Sequence, residues 1–492
     1  MENKSFFITT PIYYVNDKPH IGHAYTTIAA DVLARYYSLQ GKSVKFLTGT
    51  DEHGAKIAQA AERAGKSPQE FADEVSDLYK KTWRELNVDY SQFIRTTDPR
   101  HEKIAQGLIA KLKEKGLVEK RKYDGLYCIG CEKFLQKSDL VDGKCPDHKT
   151  VPVKQSEENY FFLLSKFQDR LIKIIKRGEL KILPASRKNE VLGKLQSGLE
   201  DVSISRAAVK WGIPFPDDPE QTIYVWVEAL INYYSATHIF SGWQKWEQHP
   251  ADLHIIGKDI LWFHAVIWPA MLLALELPLP KAIFAHGYFT VGGEKMSKTL
   301  GNVLDPVALS KKYGADALRY ALLREFPFGE DGDISESKIN QRYERDLANE
   351  LGNLLQRVLV MIKKYDIYPE RHLRGDEPVP PARRSFSEGG SVVEGVVSSE
   401  VKEVSEGVIH LRFESALQSV WKLLSEGNET IDKEKPWVLA KTNPKKLAEV
   451  LNKEYDRLFI VADMLKPFMP STAEKISNQL KTLSPSPLFP RL

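Results

Sequence analysis

Two short stretches of this chain carry side chains suited to handling a phosphate. The first, His20-Ile21-Gly22-His23, lies between the strand-like run SFFITT and a helical pattern at Val32, Leu33, Tyr36 and Leu39. Histidines three apart share one face of a helix. At a helix start they stand beside free N–H groups and the positive end of the dipole. That arrangement suits an anion, with the rings donating to charge that develops on it, and Gly22 leaves room for close approach. The same four letters also fit an ordinary pair of surface histidines. The second stretch, Lys295-Met296-Ser297-Lys298-Thr299, follows Gly292-Gly293 and is expected to be an exposed loop. Its two lysines are placed to close over a triphosphate and neutralise a leaving pyrophosphate. A KxxK loop alone reads as solvated surface; a histidine pair upstream, after the first strand, shifts the balance toward chemistry.

These residues need a scaffold. SFFITT predicts a strand, Asp31 to Gln40 a helix closed by Gly41, and VKFLTG a second, buried strand. Two strands joined by a helix make a parallel βαβ unit, and ligands bind beyond the carboxyl ends of such strands. The loops that matter are then TPIYYVNDKPHIGH and TGTDEHG. The alternation breaks near residue 116, where a Cys-bearing segment, the strand-like NYFFLL and a Pro-rich exit intervene, and it resumes with TIYVWVEALINYY and KAIFAHGYF. The expectation is an α/β fold, a doubly wound parallel sheet split by an insertion and followed from Asp305 by an α-helical bundle. Between Tyr368 and Ser399 a Pro-, Gly-, Ser- and Glu-rich stretch predicts a loop between helices.

Composition narrows the class. The 492 residues hold 69 Lys and Arg against 66 Asp and Glu, and 42% are hydrophobic, a globular mix that leaves room for a local basic face. No apolar run approaches the roughly 20 residues of a membrane span. The N-terminus has no signal core, so the expected location is cytoplasmic. Three cysteines argue against a disulfide framework. Cys128-x2-Cys131 and Cys145-x2-His148 use all three and fit a tetrahedral, structural Zn²⁺ site; three buried thiols and an incidental histidine remain the plain alternative.

Taken in order, TTPIYYVN…PHIGHAYT, LTGTDEHG, YVWVEALINYY, IGKDI, AHGYFTVGGEKMSKTLGN, DLANELGNLLQR and EKPWVLAK resemble the class I aminoacyl-tRNA synthetases, and among them the methionyl-tRNA synthetase family, over essentially the whole chain. The resemblance implies a Rossmann-like sheet in two halves, 1–115 and 221–290, around a zinc-bearing connective insertion at 116–220. It further implies a signature-loop and stem-contact region at 291–345 and a helical anticodon-binding domain at 346–492. The implied activity is activation of L-methionine with Mg²⁺ and ATP, then transfer to the terminal ribose, at its 2′-OH, of elongator and initiator tRNA-Met. His20, His23, Lys295 and Lys298 would stabilise the charge; Gly22, Ser297 and Thr299 join them around ATP, with Thr299 in place of the more usual Ser.

The same resemblance places Ile12, Tyr14, Asp51, Trp226, Ala229, Leu230, Tyr233 and His286 around methionine, Asp51 facing the ammonium, and Asn353, Arg357 and Trp437 at the anticodon. Aromatic walls suit a thioether, although Trp226 and Tyr233 also read as core residues and Asp51 as a helix cap. Within the family the form with one zinc knuckle fits, with His148 replacing a more frequent Cys. An insertion of about 100 residues leaves no room for the editing domain of the Ile, Val and Leu enzymes, and no Cys lies near either signature, as a cysteinyl enzyme would need. A small-acid nucleotidyltransferase would share the two signatures without needing Asn353, Arg357 and Trp437; a silent tRNA-binding paralogue would need only those three. A chain ending at PLFPRL predicts a monomer, with a tRNA-binding partner in trans as an open addition.

Overall fold

The computed structural model describes residues 4–128, 133–135, 140–146, 149–295, 303–369 and 397–491. Its centre is a sheet of six parallel strands: β1 (Ser5–Tyr14), β2 (Ser43–Asp51), β3 (Gln92–Arg95), β4 (Lys181–Leu183), β5 (Leu253–Gly257) and β6 (Ala282–His286). Their order is β3-β2-β1-β5-β6-β4, every pair parallel. The chain moves outward from β1 to β3 and later returns to the other side of β1, so the order reverses between β1 and β5. That crevice is where a doubly wound sheet binds its ligand.

β1 is buried on both faces, as a central parallel strand must be. It runs farther than SFFITT: TPIYY, expected as loop, continues the strand. Pro11 is accommodated because the pairing with β2 shifts register between Thr9 and Ile12, a bulge that spares the missing N–H. After the bulge Tyr14 lies directly opposite Asp51. The first helix, α1 (Ile21–Leu39), starts within the HIGH motif, and Gly41 (φ 77°) turns the chain into β2.

The segment expected as a pure insertion, 116–220, also sends β4 to the edge of the main sheet, where it pairs with β6. The remainder includes an antiparallel sheet of Lys133–Leu135, Val118–Cys128, Val153–Phe162 and Val202–Ser203. Cys128, Leu135 and Cys145 form a small apolar core of their own there. Beyond Asp305 the described residues form helices joined by turns, with Gly332–Asp333 the one strand among them, and the stretch read as Pro- and Gly-rich loop lies largely outside the described residues, at 370–396.

Two cores flank the sheet. One joins α1 and Pro68–Glu85 to the C-terminal helices; the other packs Pro99–Glu114, Asn232–Ile239 and Trp268–Ala274 on the opposite face. In the first core the Arg319 guanidinium lies 2.6 Å from Asp31 of α1, both side chains fully buried. Among the described residues no helix is long and apolar enough to cross a membrane.

Candidate active site at the carboxyl edge of the sheet

The HIGH motif caps its own helix with imidazoles. Gly22 N–H donates to His20 Nδ1 (3.1 Å), and His20 N–H donates to His23 Nδ1 (3.3 Å), a capping box in which two rings replace the usual hydroxyl and carboxylate. The rings stack with centroids 3.7 Å apart. Since a backbone N–H can only donate, each Nδ1 must be an unprotonated acceptor. The neutral ring then carries its proton on Nε2, an N–H donor beside the helix start. Burial works in the same direction: it lowers His20 to about 4 and, helped by the neighbouring His20, holds His23 well below 6.5. Tyr79 donates to His23 Nδ1 at 3.2 Å, and Tyr13 stacks on Tyr79, so the ring is seated from behind.

The second signature is anchored against this helix start from both sides. Lys295 ends a hairpin in which Phe289–Val291 pairs with Glu294–Lys295 around Gly292 (φ 63°) and Gly293 (φ 81°), left-handed positions that glycine takes without strain. Phe289 packs on Tyr25 of α1, centroids 4.4 Å apart. Past the loop, the Leu304 carbonyl accepts from Ile21 N–H at 3.1 Å. Met296, Ser297, Lys298 and Thr299 lie outside the described residues, as does the Lys295 side chain, but both ends of their loop sit on the first turns of α1.

Across the crevice an aromatic wall assembles. Tyr14 faces Trp226 (6.3 Å between centroids), and Trp226 stacks on Phe263 (5.2 Å). Trp226, Ala229 and Leu230 belong to the helix Val225–Leu230. Tyr233 donates to His264 Nε2 at 2.7 Å, since His264 Nδ1–H is committed to the Ile260 carbonyl. Asp51 is buried at the end of β2, its carbonyl accepting from Val15 N–H, and Ile12 is half-buried on the same stretch of β1. His286 sits elsewhere: its Nε2 accepts from Thr26 of α1 (2.7 Å), and its ring packs on Tyr25 and Phe328. Phe263 and His264 escaped the sequence reading. The available signal was a polar ring inside the apolar run LWFHAVIW.

Two further clusters lie away from the crevice. Asn353 and Arg357 share a face of Asn353–Lys364. Arg357 pairs with Asp432 (2.6 Å) near the end of helix Phe413–Glu434, which leads through a left-handed Lys435 into the exposed Trp437. Cys128 and Cys145 are buried, and Cys145 follows the tight Val141–Lys144 turn; Cys131 and His148 lie outside the described residues.

A reversed parallel sheet with HIGH at its switch point, an anchored lysine loop and a helical C-terminal half defines a class I aminoacyl-tRNA synthetase. A family profile described as "tRNA synthetases class I (M)" matches residues 6–151 and 139–359, and "Anticodon binding domain of methionyl tRNA ligase" matches 381–488. The chain belongs to the methionine–tRNA ligase family. It is 47% identical to the methionine–tRNA ligase of Thermotoga maritima, with 96% of this chain aligned to 75% of that one. Against the Bacillus subtilis enzyme it is 42% identical, over 97% and 73%. A solved structure titled "Mycobacterium tuberculosis methionyl-tRNA synthetase in complex with methionyl-adenylate" superposes with a TM-score of 0.87 at 36% identity, covering 99% of this chain and all of the other.

The buried histidines set a pH optimum for stability. His20, His264 and His286 are each lowered by burial to about 4. Between pH 6.5 and 4 the unfolded chain therefore binds protons that the native chain does not, and stability falls with pH. For His53 burial alone would act downward, but the Glu228 carboxylate outweighs it and raises the ring to about 10. Its contribution is full below pH 6.5 and is lost as pH rises through 10. From these groups the denaturation midpoint is expected to peak near pH 6.5 and drop on both sides; a flat profile from pH 8 to 4.5 contradicts it.

Proposed function

We infer that this chain activates L-methionine with ATP and Mg²⁺ and transfers it to tRNA-Met. The observation that carries this is the joint match of both halves, catalytic and anticodon-binding, to methionine–tRNA ligases over nearly the whole chain. In the first step the methionine carboxylate attacks the α-phosphorus in line. A mixed anhydride with AMP forms and pyrophosphate leaves with the electron pair of the broken P–O bond. In the second step a terminal ribose hydroxyl attacks the carbonyl carbon, and AMP leaves. No protein nucleophile is required; the work is positioning and charge stabilisation.

The Nε2–H groups of His20 and His23 are the donors for the phosphate oxygens, neutral and so free of the solvation cost of a buried cation. Lys295 and Lys298, with Ser297 and Thr299, close over the triphosphate from the loop anchored beside them. Gly22 keeps the helix start open to the nucleotide. Asp51 holds the ammonium; Ile12, Tyr14, Trp226, Ala229, Leu230 and Tyr233 enclose the thioether, and Phe263 and His264 complete the wall. His286 belongs on the α1 side of the crevice.

Asn353, Arg357 and Trp437 read unpaired bases, Trp437 by stacking, worth about 1–3 kcal/mol per base. Cys128, Cys131, Cys145 and His148 hold a structural zinc in the insertion. The two described thiols are buried in the smallest core among the described residues, where little apolar area is available to stabilise the fold and a metal would supply the difference.

Pyrophosphate exchange without tRNA is expected with methionine and with none of the other nineteen amino acids. Exchange with a different amino acid discards the pocket; no exchange by folded protein favours a tRNA-binding paralogue. Trp437→Ala is expected to leave exchange unchanged and raise KM for tRNA about tenfold or more, and equal loss in both assays contradicts an anticodon role. Metal analysis is expected to return one zinc per chain, lost in Cys145→Ser; a metal-free, fully stable protein removes the zinc reading.

A further inference from the structure

The helix that carries the pocket wall also carries a group the reaction does not use. Glu228 lies on Val225–Leu230, between Trp226 and Ala229, and is fully buried. Its Oε1 is 2.9 Å from His53 Nδ1 and its Oε2 is 3.0 Å from His101 Nε2. His53 stands two residues beyond Asp51, past the end of β2, and packs on Trp211. His101 belongs to Pro99–Glu114, and its Nδ1 is 2.7 Å from Ser235 Oγ on the helix that carries Tyr233. One carboxylate thus spans the element that ends in Asp51 and a helix bonded to the Tyr233 segment.

A buried carboxylate surrenders its hydration and is retained at low cost only where both oxygens are bonded. An apolar residue would pack the same space, so the carboxylate calls for a role in geometry. Methionine supplies one. Its ammonium and its thioether are gripped by elements far apart in sequence, with His53 and Glu228 separated by 175 positions. Their spacing must match one side-chain length, and a hydrophobic wall alone separates substrates one methylene apart by only about 10–200-fold.

We propose that Glu228 is a positioning residue for the amino acid: by binding His53 and His101 together it fixes the distance between Asp51 and the Trp226–Tyr233 wall. It thereby sets KM for methionine and the rejection of longer side chains. The proposal rests on the pocket reading given above, and one experiment separates the two.

Exchange kinetics are measured on the full chain for Glu228→Ala, Glu228→Gln, His53→Gln and Trp226→Ala, varying methionine, ethionine and ATP in turn, with a thermal midpoint for each. Glu228→Ala is expected to raise methionine KM at least tenfold, leave ATP KM within twofold, and narrow the preference for methionine over ethionine. Glu228→Gln, which still reaches both rings, is expected to recover most of that loss. Should Glu228→Ala not fold, His53→Gln breaks the same brace from its other end and is expected to show the same split between the two KM values. A lower midpoint with both KM values unchanged, or both raised equally, overturns the proposal and leaves Glu228 a structural residue. If Trp226→Ala raises methionine KM while the Glu228 and His53 variants do not, the brace alone is wrong. If Trp226→Ala changes nothing, the pocket reading fails and the proposal with it.

Discussion

The pairing of Asp31 with Arg319 is the interaction on which the arrangement of the two halves depends. Arg319 comes from helix Ala315–Arg324, and its donors are all engaged: Asp31 Oδ2 at 2.6 Å, the Phe468 and Pro467 carbonyls, and the Leu86 and Asn87 carbonyls. Asp31 also accepts from Arg35 and from Asp89 N–H. The network therefore joins α1, the turn after Pro68–Glu85, and the turn that precedes the last helix. A buried pair of this kind adds little over an apolar contact, but removing one member strands a charge at about 3–5 kcal/mol. Its consequence is registry. The helix that begins at HIGH cannot rotate or slide without breaking bonds to the C-terminal half, and Tyr36, bonded to Ser405 at 2.5 Å, repeats the constraint farther along the helix.

With α1 held there, the chemistry at its start follows from how its first N–H groups are satisfied. The free donors of a helix terminus usually find a hydroxyl or a carboxylate; a carboxylate at this position would add a negative charge that the imidazoles do not. Imidazoles used as Nδ1 acceptors satisfy the same donors, remain neutral when buried, and turn an N–H outward. One choice of side chain thus caps the helix and leaves the Nε2–H of each neutral ring as a donor. The described residues on either side of the second signature meet the same helix start, Phe289 through the ring of Tyr25 and Leu304 through its carbonyl to Ile21 N–H.

The crevice between β1 and β5 brings two sets of side chains together. On the α1 side lie the HIGH rings and His286; on the other, the helix Val225–Leu230 and the Phe263–His264 pair. The bulge at Pro11 aligns them, since the register after it puts Tyr14 opposite Asp51. Without the shift of register Tyr14 would lie opposite another residue of β2 and would face the other side of the sheet. The histidines lining the crevice differ in protonation because their partners differ: His264 and His286 meet hydroxyls and carbonyls, whereas His53 meets a buried carboxylate.

The sequence by itself determined the local devices and the class. HIGH at a helix start, the turn at Gly292-Gly293, the closure at Gly41, the βαβ opening and the helical second half are each encoded locally, by periodicity, turn residues and capping. Tertiary structure alone decided the rest. Lys181-Ile182-Leu183 is too short to read as a strand and pairs only because β6 presents an open edge. Pro11 argued against a strand until a bulge absorbed it. Glu228, Arg319 and Asp31 read as solvent-facing charges in any local pattern, yet each is buried, because its partner lies 127 to 288 positions away. A buried charge is tolerated through a specific distant counter-group, and that pairing has no local signature. His286 is a similar case: its ring meets Thr26 of α1, 260 positions away.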